Sequence, residues 1–305
     1  MNLEVKILNG FLNIDKSFGW TSNDVIRKLR ELLNQKKIGH GGTLDPIATG
    51  VLPVCLGNSC RLFSYLLNGD KRYLITITLG FSTDTFDSFG KVKDKGTYHF
   101  IEEKEVVDVL GKFTGDILQK PPIFSAIKYK GTPLYKFARS GEKIEIKPRK
   151  VLVKSIKVIK FDPPIIILDV VVGRGFYARS LANDLGSHLR VPSHMSSLKR
   201  LMTGSFSIQS SYSVQQIEEI FTIGEMDSIL LPIDYIVKDL PIIYLSKEQS
   251  HNIINGQSIQ SSSVSFDFLE EDFRTFRIYN HQDVFIALGN AIDSGTLLKP
   301  IKVFK

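Results

Sequence analysis

Asp45 is the side chain of this sequence best placed to do chemistry. It follows Gly41 and Gly42 and precedes Pro46, so the pattern predicts a tight loop, because glycine permits unusual backbone angles and proline disfavours a helix before it. A carboxylate on such a loop can reach a substrate that approaches the backbone closely. An aspartate before proline can also serve only to cap a turn. The loop by itself leaves both interpretations open.

Three other side chains are candidates for the same site. Arg179 follows a glycine and two aromatic residues, and its planar guanidinium could pair with a buried carboxylate or a phosphate. Tyr73 begins an alternating apolar stretch and could stack on a base or exchange a proton. His40 lies beside the glycine loop and could titrate. The alternatives are a surface arginine, a packed tyrosine and a structural histidine.

Positive charge is concentrated in one segment of the chain. The formal net charge is +7, yet residues 111–160 alone contain 13 lysines and arginines against 3 acidic residues. Cations and aromatic rings alternate there, namely Lys120, Lys128, Lys130, Lys136, Arg139, Lys147, Arg149 and Lys150 with Phe124, Tyr129, Tyr135 and Phe137. Phosphates require cations and unstacked bases require planar faces, so this mixture favours an RNA-binding insertion over a merely solvated lysine-rich face.

The elements that must position these residues follow from apolar spacing. A helix capped by Ser22 is expected to end near Gly39, and a strand is expected over residues 73–79. The apolar run 165–172 predicts a central strand, followed by a glycine turn and a helix that begins near Arg179. Its buried face is marked by leucines four residues apart, Leu181, Leu185 and Leu189.

The last quarter of the chain has a different pattern. Ser213 is expected to cap a helix, and the Leu-Pro pairs at 231–232 and 240–241 indicate a linker with a boundary near Leu240. Short apolar runs at 274–279 and 284–288 then predict a small β module.

Composition excludes several classes of protein. Of the 305 residues, 43% are hydrophobic and 23% charged, the balance of a globular chain with a sizeable core. No apolar run is long enough to cross a bilayer, so a cytoplasmic protein is the simplest expectation. Two cysteines and six scattered histidines make no metal-ligand pattern. We therefore expect neither a metal nor a disulfide.

These motifs, in this order, resemble the bacterial tRNA pseudouridine-55 synthase family, the TruB family. The resemblance covers nearly the whole chain and is carried by Phe11–Lys16 with Gly19–Ser22, Gly39–Leu52, Lys71–Tyr73, Gly80–Thr85, Gln119–Gly141 and Gly175–Leu181. Two departures, Gly41 and the pair Gly173-Arg174, stand where the family often has other residues. Neither departure removes a chemical group on which the resemblance depends.

The resemblance implies an α/β, more specifically α+β, fold and a domain plan. It implies the pseudouridine synthase fold, with a mixed and largely antiparallel sheet, over residues 1–240, including an RNA-binding insertion at about 120–150. A small PUA-like β domain over 241–305 is implied as well. The implied enzyme is an isomerase that flips the T-loop uridine of tRNA out of its stack and converts it to pseudouridine. It implies no cofactor, no obligate protein partner, tRNA as the partner, and a monomer.

The resemblance also assigns roles to individual side chains. Asp45 matches the catalytic carboxylate, Arg179 its ion-pair partner, and Tyr73 the residue that covers the base. His40 is expected to fill space left by the flipped uridine. The expected RNA-binding set comprises His40, Lys16, Lys71, Lys120, Lys128, Lys130, Tyr135, Arg139, Lys150 and Arg200.

Three other functions remain open at this point. A non-catalytic RNA-binding protein could keep the scaffold, although the intact Asp45, Tyr73 and Arg179 argue against it. An aspartate-dependent hydrolase would need a paired carboxylate or a metal cluster to activate water. A guide-RNA-dependent relative would share the catalytic motifs, but the basic insertion favours the stand-alone bacterial type.

Overall fold

The computed structural model describes residues 7–142, 144–260, 262, 264 and 274–304. Eighteen strands are present in the described part, and they are, in chain order, β1 (Gly10–Lys16), β2 (Ile38–His40), β3 (Ala48–Leu56), β4 (Lys71–Leu79), β5 (Phe81–Thr83), β6 (Val92–Lys95), β7 (Gly115–Gln119), β8 (Lys128–Tyr129), β9 (Thr132–Pro133), β10 (Arg149–Asp162), β11 (Ile165–Val172), β12 (Ser193–Thr203), β13 (Phe206–Ser207), β14 (Ile242–Tyr244), β15 (Ile259–Gln260), β16 (Thr275–Tyr279), β17 (Phe285–Ile292) and β18 (Leu297–Val303). The α-helices described are α1 (Ser22–Leu32), α2 (Phe63–Asn68), α3 (Glu103–Gly111), α4 (Leu134–Ser140), α5 (Ala178–Leu189), α6 (Val214–Thr222) and α7 (Lys247–Ile254).

A nine-stranded sheet forms the body of the molecule. Its main path runs β1-β3-β12-β4-β11-β10-β7, with β2 added to β3 and β13 added to β12. Every pairing is antiparallel except that of β12 with β3, which is parallel. The predicted mixed, largely antiparallel sheet is confirmed. Strands β12 and β4 lie in its interior, so side chains on them are held by neighbours on both sides.

Two helices pack on the sheet and set the geometry of the site. In α5 the predicted leucine face is buried, with Leu181 and Leu185 at 0% and Leu189 at 8% exposure. In α1 the capping residue is Thr21, not Ser22 as the sequence suggested, because Thr21 and Asp24 form a reciprocal capping box. Ser22 is buried instead, and its hydroxyl accepts from Leu44 N at 2.8 Å and donates to Leu44 O at 3.2 Å. Ser22 therefore holds the loop before Asp45.

A second sheet of five strands follows the first along the chain. Its order is β14-β16-β17-β18-β15, and residues 265–273, within the predicted C-terminal module, lie outside the described residues. Phe276, Ile278 and Leu298 form the centre of its own apolar cluster. A further apolar cluster contains residues of both sheets, among them Phe11 of β1 and Leu288 of β17. The second sheet is therefore docked on the first rather than separate from it.

None of the described helices is both long and apolar enough to span a lipid bilayer.

Gly50 in β3 is a position where only glycine fits. Its φ is +96°, and a Cβ there would lie 2.2 Å from the carbonyl oxygen of Arg200 on β12. We expect Gly50→Ala to lower the free energy of unfolding by about 2–4 kcal/mol, because backbone strain and overpacking act together. Urea unfolding measures this loss.

The matched control is Gly224→Ala. Gly224 also has a positive φ, +79°, but a Cβ there would meet nothing within 4 Å, so only the conformational cost of about 1 kcal/mol applies. Equal losses for the two variants would show that the close approach of β3 to β12 is not tight.

Candidate functional site

A cavity of about 280 Å³ opens between the glycine loop, β4 and the start of α5. Its wall is formed by residues 43–45, by Tyr73, by Ser125 and Ala126 of the basic insertion, by residues 175–179, and by Leu198. Elements that are far apart in sequence therefore meet around one opening, and the three predicted catalytic side chains all line it.

The glycine loop is fixed at several points around Asp45. Gly41 N donates to Pro53 O at 2.7 Å, which closes the start of the loop on β3. Gly19 N donates to Pro46 O at 2.8 Å, and Ala48 N donates to Asp45 O at 3.0 Å. Because backbone contacts and the Ser22 hydroxyl hold both ends of the loop, the carboxylate is directed before any substrate binds.

Arg179 pairs with Asp45 in a forked geometry. Its Nε lies 3.0 Å from Oδ2 of Asp45, and its Nη2 donates to Oδ1 at 3.2 Å. The guanidinium also donates to the carbonyls of Phe124 at 2.9 Å and Thr85 at 3.3 Å. With its side chain only 6% exposed, Arg179 is not a surface arginine. The two parallel contacts fix both the direction and the distance of the carboxylate.

Burial and charge act in opposite directions on the Asp45 carboxyl group. Burial raises its pKa above the usual value, the charge of Arg179 lowers it, and the charge of Asp87 raises it. The side chain nevertheless keeps 36% of its surface open to the cavity. The net effect is a pKa above the usual value, and the guanidinium of Arg179 limits that rise at a carboxyl group that a substrate can reach.

Asp87 is a site residue that the sequence did not reveal. Its Oδ2 lies 3.7 Å from Nη1 of Arg179, and the residue is 6% exposed. Arg179 therefore lies between two carboxylates, of which only that of Asp45 lines the cavity. Asp87 lies in the turn after β5, four residues beyond the strand, and no spacing rule connects that turn with Arg179. Only the folded chain brings them together.

Tyr73 lines the cavity beside Asp45, whereas His40 is not among the residues that line it. Tyr73, on β4, lines the cavity while its ring packs against the main apolar core, so the packing interpretation holds and the catalytic role stays a prediction. His40 ends β2, and its buried Nδ1 has no hydrogen-bond partner among the described residues. Burial and the charge of Arg200 lower the pKa of His40, which favours the neutral imidazole at neutral pH.

Three cations of the predicted RNA-binding set are buried, so their prediction is corrected. Lys16, Lys71 and Arg200 are 0%, 8% and 1% exposed, and a phosphate outside the protein cannot contact them. Burial lowers the pKa of Lys16 and of Lys71 to about 8 in each case. Their ammonium groups donate to backbone carbonyls instead, Lys16 to Trp20 O at 2.6 Å and Lys71 to Leu67 O at 2.7 Å.

Arg200 is a buried structural residue that makes hydrogen bonds within the large sheet. It is opposite Tyr73 in the β12–β4 register, and its Nε donates to Val51 O at 2.6 Å. Its Nη2 donates to Gly42 O at 3.2 Å. The guanidinium therefore links β3 to the glycine loop that precedes Asp45.

Apart from His40, the rest of the predicted RNA-binding set lies on the surface of the insertion between β7 and β10 or at the start of β10. Lys120, Lys128, Lys130, Arg139 and Lys150 are exposed and Tyr135 is partly exposed. The cations lie beside aromatic rings, with Lys130 Nζ 5.7 Å from the Tyr129 ring centroid and the Arg139 guanidinium 5.5 Å from that of Tyr135.

The insertion is also connected directly to Arg179 of the Asp45–Arg179 pair. Phe124 O accepts the hydrogen bond from Arg179, and Ser180 Oγ donates to Lys120 O at 2.7 Å. A change in the insertion can therefore be transmitted to Arg179 through these two contacts.

Comparison with known proteins matches both parts of the large sheet to one family. Residues 30–178 match the model described as TruB family pseudouridylate synthase (N terminal domain). The chain belongs to the TruB family of pseudouridylate synthases. Residues 179–238 match the model described as tRNA pseudouridylate synthase B C-terminal domain. The two matches meet at the start of α5.

Relatives along the full chain agree with this membership. A tRNA pseudouridine synthase B from Caldanaerobacter subterraneus subsp. tengcongensis is 41% identical, covering 97% of this chain and 99% of that one. A Dehalococcoides mccartyi protein of the same name is 37% identical over 97% of both chains. Among solved structures, a chain from a Cbf5-Nop10-Gar1 complex has a TM-score of 0.73 at 26% identity, over 100% of this chain and 87% of that one. The predicted family and its fold are confirmed.

Among the described residues, no group of three or more His, Cys, Asp or Glu is arranged to hold a metal ion.

Proposed function

We propose that this protein isomerises the T-loop uridine of tRNA, position 55, to pseudouridine, with Asp45 as the catalytic carboxylate. The forked Asp45–Arg179 pair at the cavity is the observation that carries the proposal, because the guanidinium directs the carboxylate within a site that a flipped base can enter. Family membership and full-length relatives named as tRNA pseudouridine synthases support the reaction and its tRNA substrate.

The reaction that these residues serve conserves the composition of the nucleotide. The bond from C1′ of the ribose to N1 of uracil breaks, the base turns, and a new bond forms from C1′ to C5. The proton on C5 is lost and N1 gains one. Asp45 acts as the nucleophile or an equivalent carboxylate. Tyr73 lies on the cavity wall, where it covers the base and can take part in the proton transfer.

Base flipping gives the cavity and His40 their roles. A uridine stacked in a folded loop cannot present its glycosidic bond to a carboxylate inside a cavity, so the nucleotide must leave the stack. His40, beside the catalytic loop, occupies part of the vacated space. The exposed cations and aromatic rings of the insertion hold the surrounding phosphates and bases.

The same contacts favour an enzyme over the alternative functions. A protein that only bound RNA would not need a buried arginine paired with a solvent-accessible aspartate. Here the side chain of Arg179 is 6% exposed and pairs with the partly exposed Asp45. A hydrolase would need a second group to activate water, and Asp87 faces Arg179 rather than the cavity.

We propose further that residues 241–305 form a PUA-like domain and that the catalytic domain covers residues 1–240, supported by the second sheet and its own apolar cluster. That module contains 6 basic and 7 acidic residues, so the insertion is the main RNA-binding surface.

Release of tritium from tRNA labelled at uracil C5 tests the proposed function. Transcripts that carry the T-loop uridine are expected to lose one label per molecule, and transcripts with cytidine at that position are expected to lose none. If the protein binds tRNA and releases no label, it is an RNA-binding protein and the enzymatic proposal fails. If release continues from the cytidine transcript, the enzyme acts at another uridine.

Removing two cations from the insertion is expected to weaken tRNA binding electrostatically. In the variant Lys128→Gln with Lys130→Gln, the slope of log Kd against log salt concentration is expected to fall by about 1 for each phosphate that the protein no longer neutralises. Lys247→Gln, an exposed lysine on α7, is the matched control and should leave the slope unchanged. Filter binding at several salt concentrations measures it, and an unchanged slope in the double variant would remove these lysines from the interface.

A further inference from the structure

Two exposed phenylalanines from distant turns meet beside the catalytic loop. Phe18 and Phe89 are 71 residues apart in sequence, yet their ring centroids lie 5.8 Å apart with the planes at 84°. They are 61% and 57% exposed, although both are large apolar side chains. We call Phe18 and Phe89 the aromatic pair. Neither residue belongs to the catalytic roles assigned above.

Backbone contacts connect the aromatic pair to both members of the catalytic ion pair. The residue after Phe18, Gly19, donates its N–H to Pro46 O at 2.8 Å, one residue beyond Asp45. Phe89 N donates to Oδ1 of Asp87 at 3.0 Å, and the other oxygen of that carboxylate faces Arg179. The two turns that carry the aromatic pair are therefore fixed relative to Asp45 and Arg179.

We propose that the aromatic pair stacks on an unpaired base of the tRNA substrate next to the flipped uridine. Extracting a base leaves its neighbours without a stacking partner, and an aromatic face replaces that partner. An edge-to-face pair leaves a ring face free for this contact, which is apolar and tolerant of base identity. The inference rests on the proposed function and adds to it a base-recognition surface outside the cavity.

The test compares Phe18→Ala and Phe89→Ala with Phe100→Ala. Phe100 is 60% exposed on the turn before α3, so it matches the pair in size and exposure. Each variant of the pair is expected to raise the Kd for tRNA about 10-fold, the scale of removing one base–aromatic stack. The salt slope of Kd should not change, because no charge is removed, and kcat should stay within about 2-fold, because neither ring touches the reacting atoms. Phe18→Tyr, which keeps the aromatic ring, should have the same Kd for tRNA as the unaltered protein.

Fluorescence of 2-aminopurine placed next to the T-loop uridine gives a direct reading of the stack. The unaltered protein is expected to quench or enhance it on binding, and the alanine variants should lose that change. An unchanged Kd, or a Kd that changes together with the salt slope, would overturn the proposal. A change in oligomeric state with unaltered RNA binding would overturn it in favour of a contact between protein chains. If the unaltered protein releases no tritium, the proposed reaction fails, while the fluorescence still decides the stacking.

Discussion

Asp45→Asn is expected to abolish tritium release from C5-labelled tRNA, with a fall in kcat of about 10⁴-fold or more, the scale seen when a nucleophile is removed. Asparagine has the size of aspartate but lacks the charge that the forked contact with Arg179 stabilises. The Kd for tRNA should change little, because the substitution leaves the proposed RNA-binding insertion unchanged. Single-turnover kinetics and filter binding measure the two quantities separately.

The control for this prediction is Asp239→Asn, the same substitution at an exposed position outside the cavity. It should leave both kcat and Kd unchanged. Full activity of Asp45→Asn would exclude the carboxylate from the chemistry, whereas a large loss of tRNA affinity would mean that Asp45 acts in binding rather than in catalysis.

Arg179→Met is expected to produce the second-largest loss, about 10³-fold in kcat, the scale of removing a charged group from a closed site. The Arg179→Met substitution should also change the pH dependence of kcat. Burial raises the pKa of Asp45 and Arg179 lowers it, so removing the guanidinium should raise that pKa further. The carboxylate is then protonated at a higher pH, and the acidic limb of the pH–kcat profile should move to higher pH.

Arg179→Lys, which keeps the charge but loses the forked geometry, separates the two effects. Its acidic limb should stay closer to that of the unaltered protein, while kcat still falls. Because Arg179 is buried, thermal unfolding must show that each variant is folded. An acidic limb that stays in place in a folded Arg179→Met would contradict the proposed control of Asp45 by the ion pair.

Local sequence patterns predicted the helix and the strands that carry the site residues, because each pattern lies within one short segment of the chain. Leucine spacing identified the buried face of α5, the alternation after Tyr73 identified β4 (Lys71–Leu79), and the apolar run 165–172 identified β11 (Ile165–Val172). Ser213 caps α6 as predicted, accepting from Gln216 N. In each case one segment contains all the information that its structure needs.

Contacts between distant segments could not be predicted in this way. Lys16 and Arg200 were expected to face RNA, but both side chains are buried and donate to backbone carbonyls instead of a phosphate. Lysine and arginine at the surface are the usual case, so composition favours the wrong answer. The contact of Asp87 with Arg179 likewise depends on how the turn after β5 meets α5. Resemblance, not spacing, predicted the pairing of Asp45 with Arg179.

The most direct test of the central claim uses tRNA labelled with tritium at C5 of the T-loop uridine alone, assembled by ligation. The unaltered protein should release one label per tRNA, and Asp45→Asn should release none while it binds the same tRNA with similar affinity. Release by Asp45→Asn, or retention of the label by the unaltered protein in the bound complex, would contradict the assignment of Asp45 as the carboxylate that isomerises this uridine.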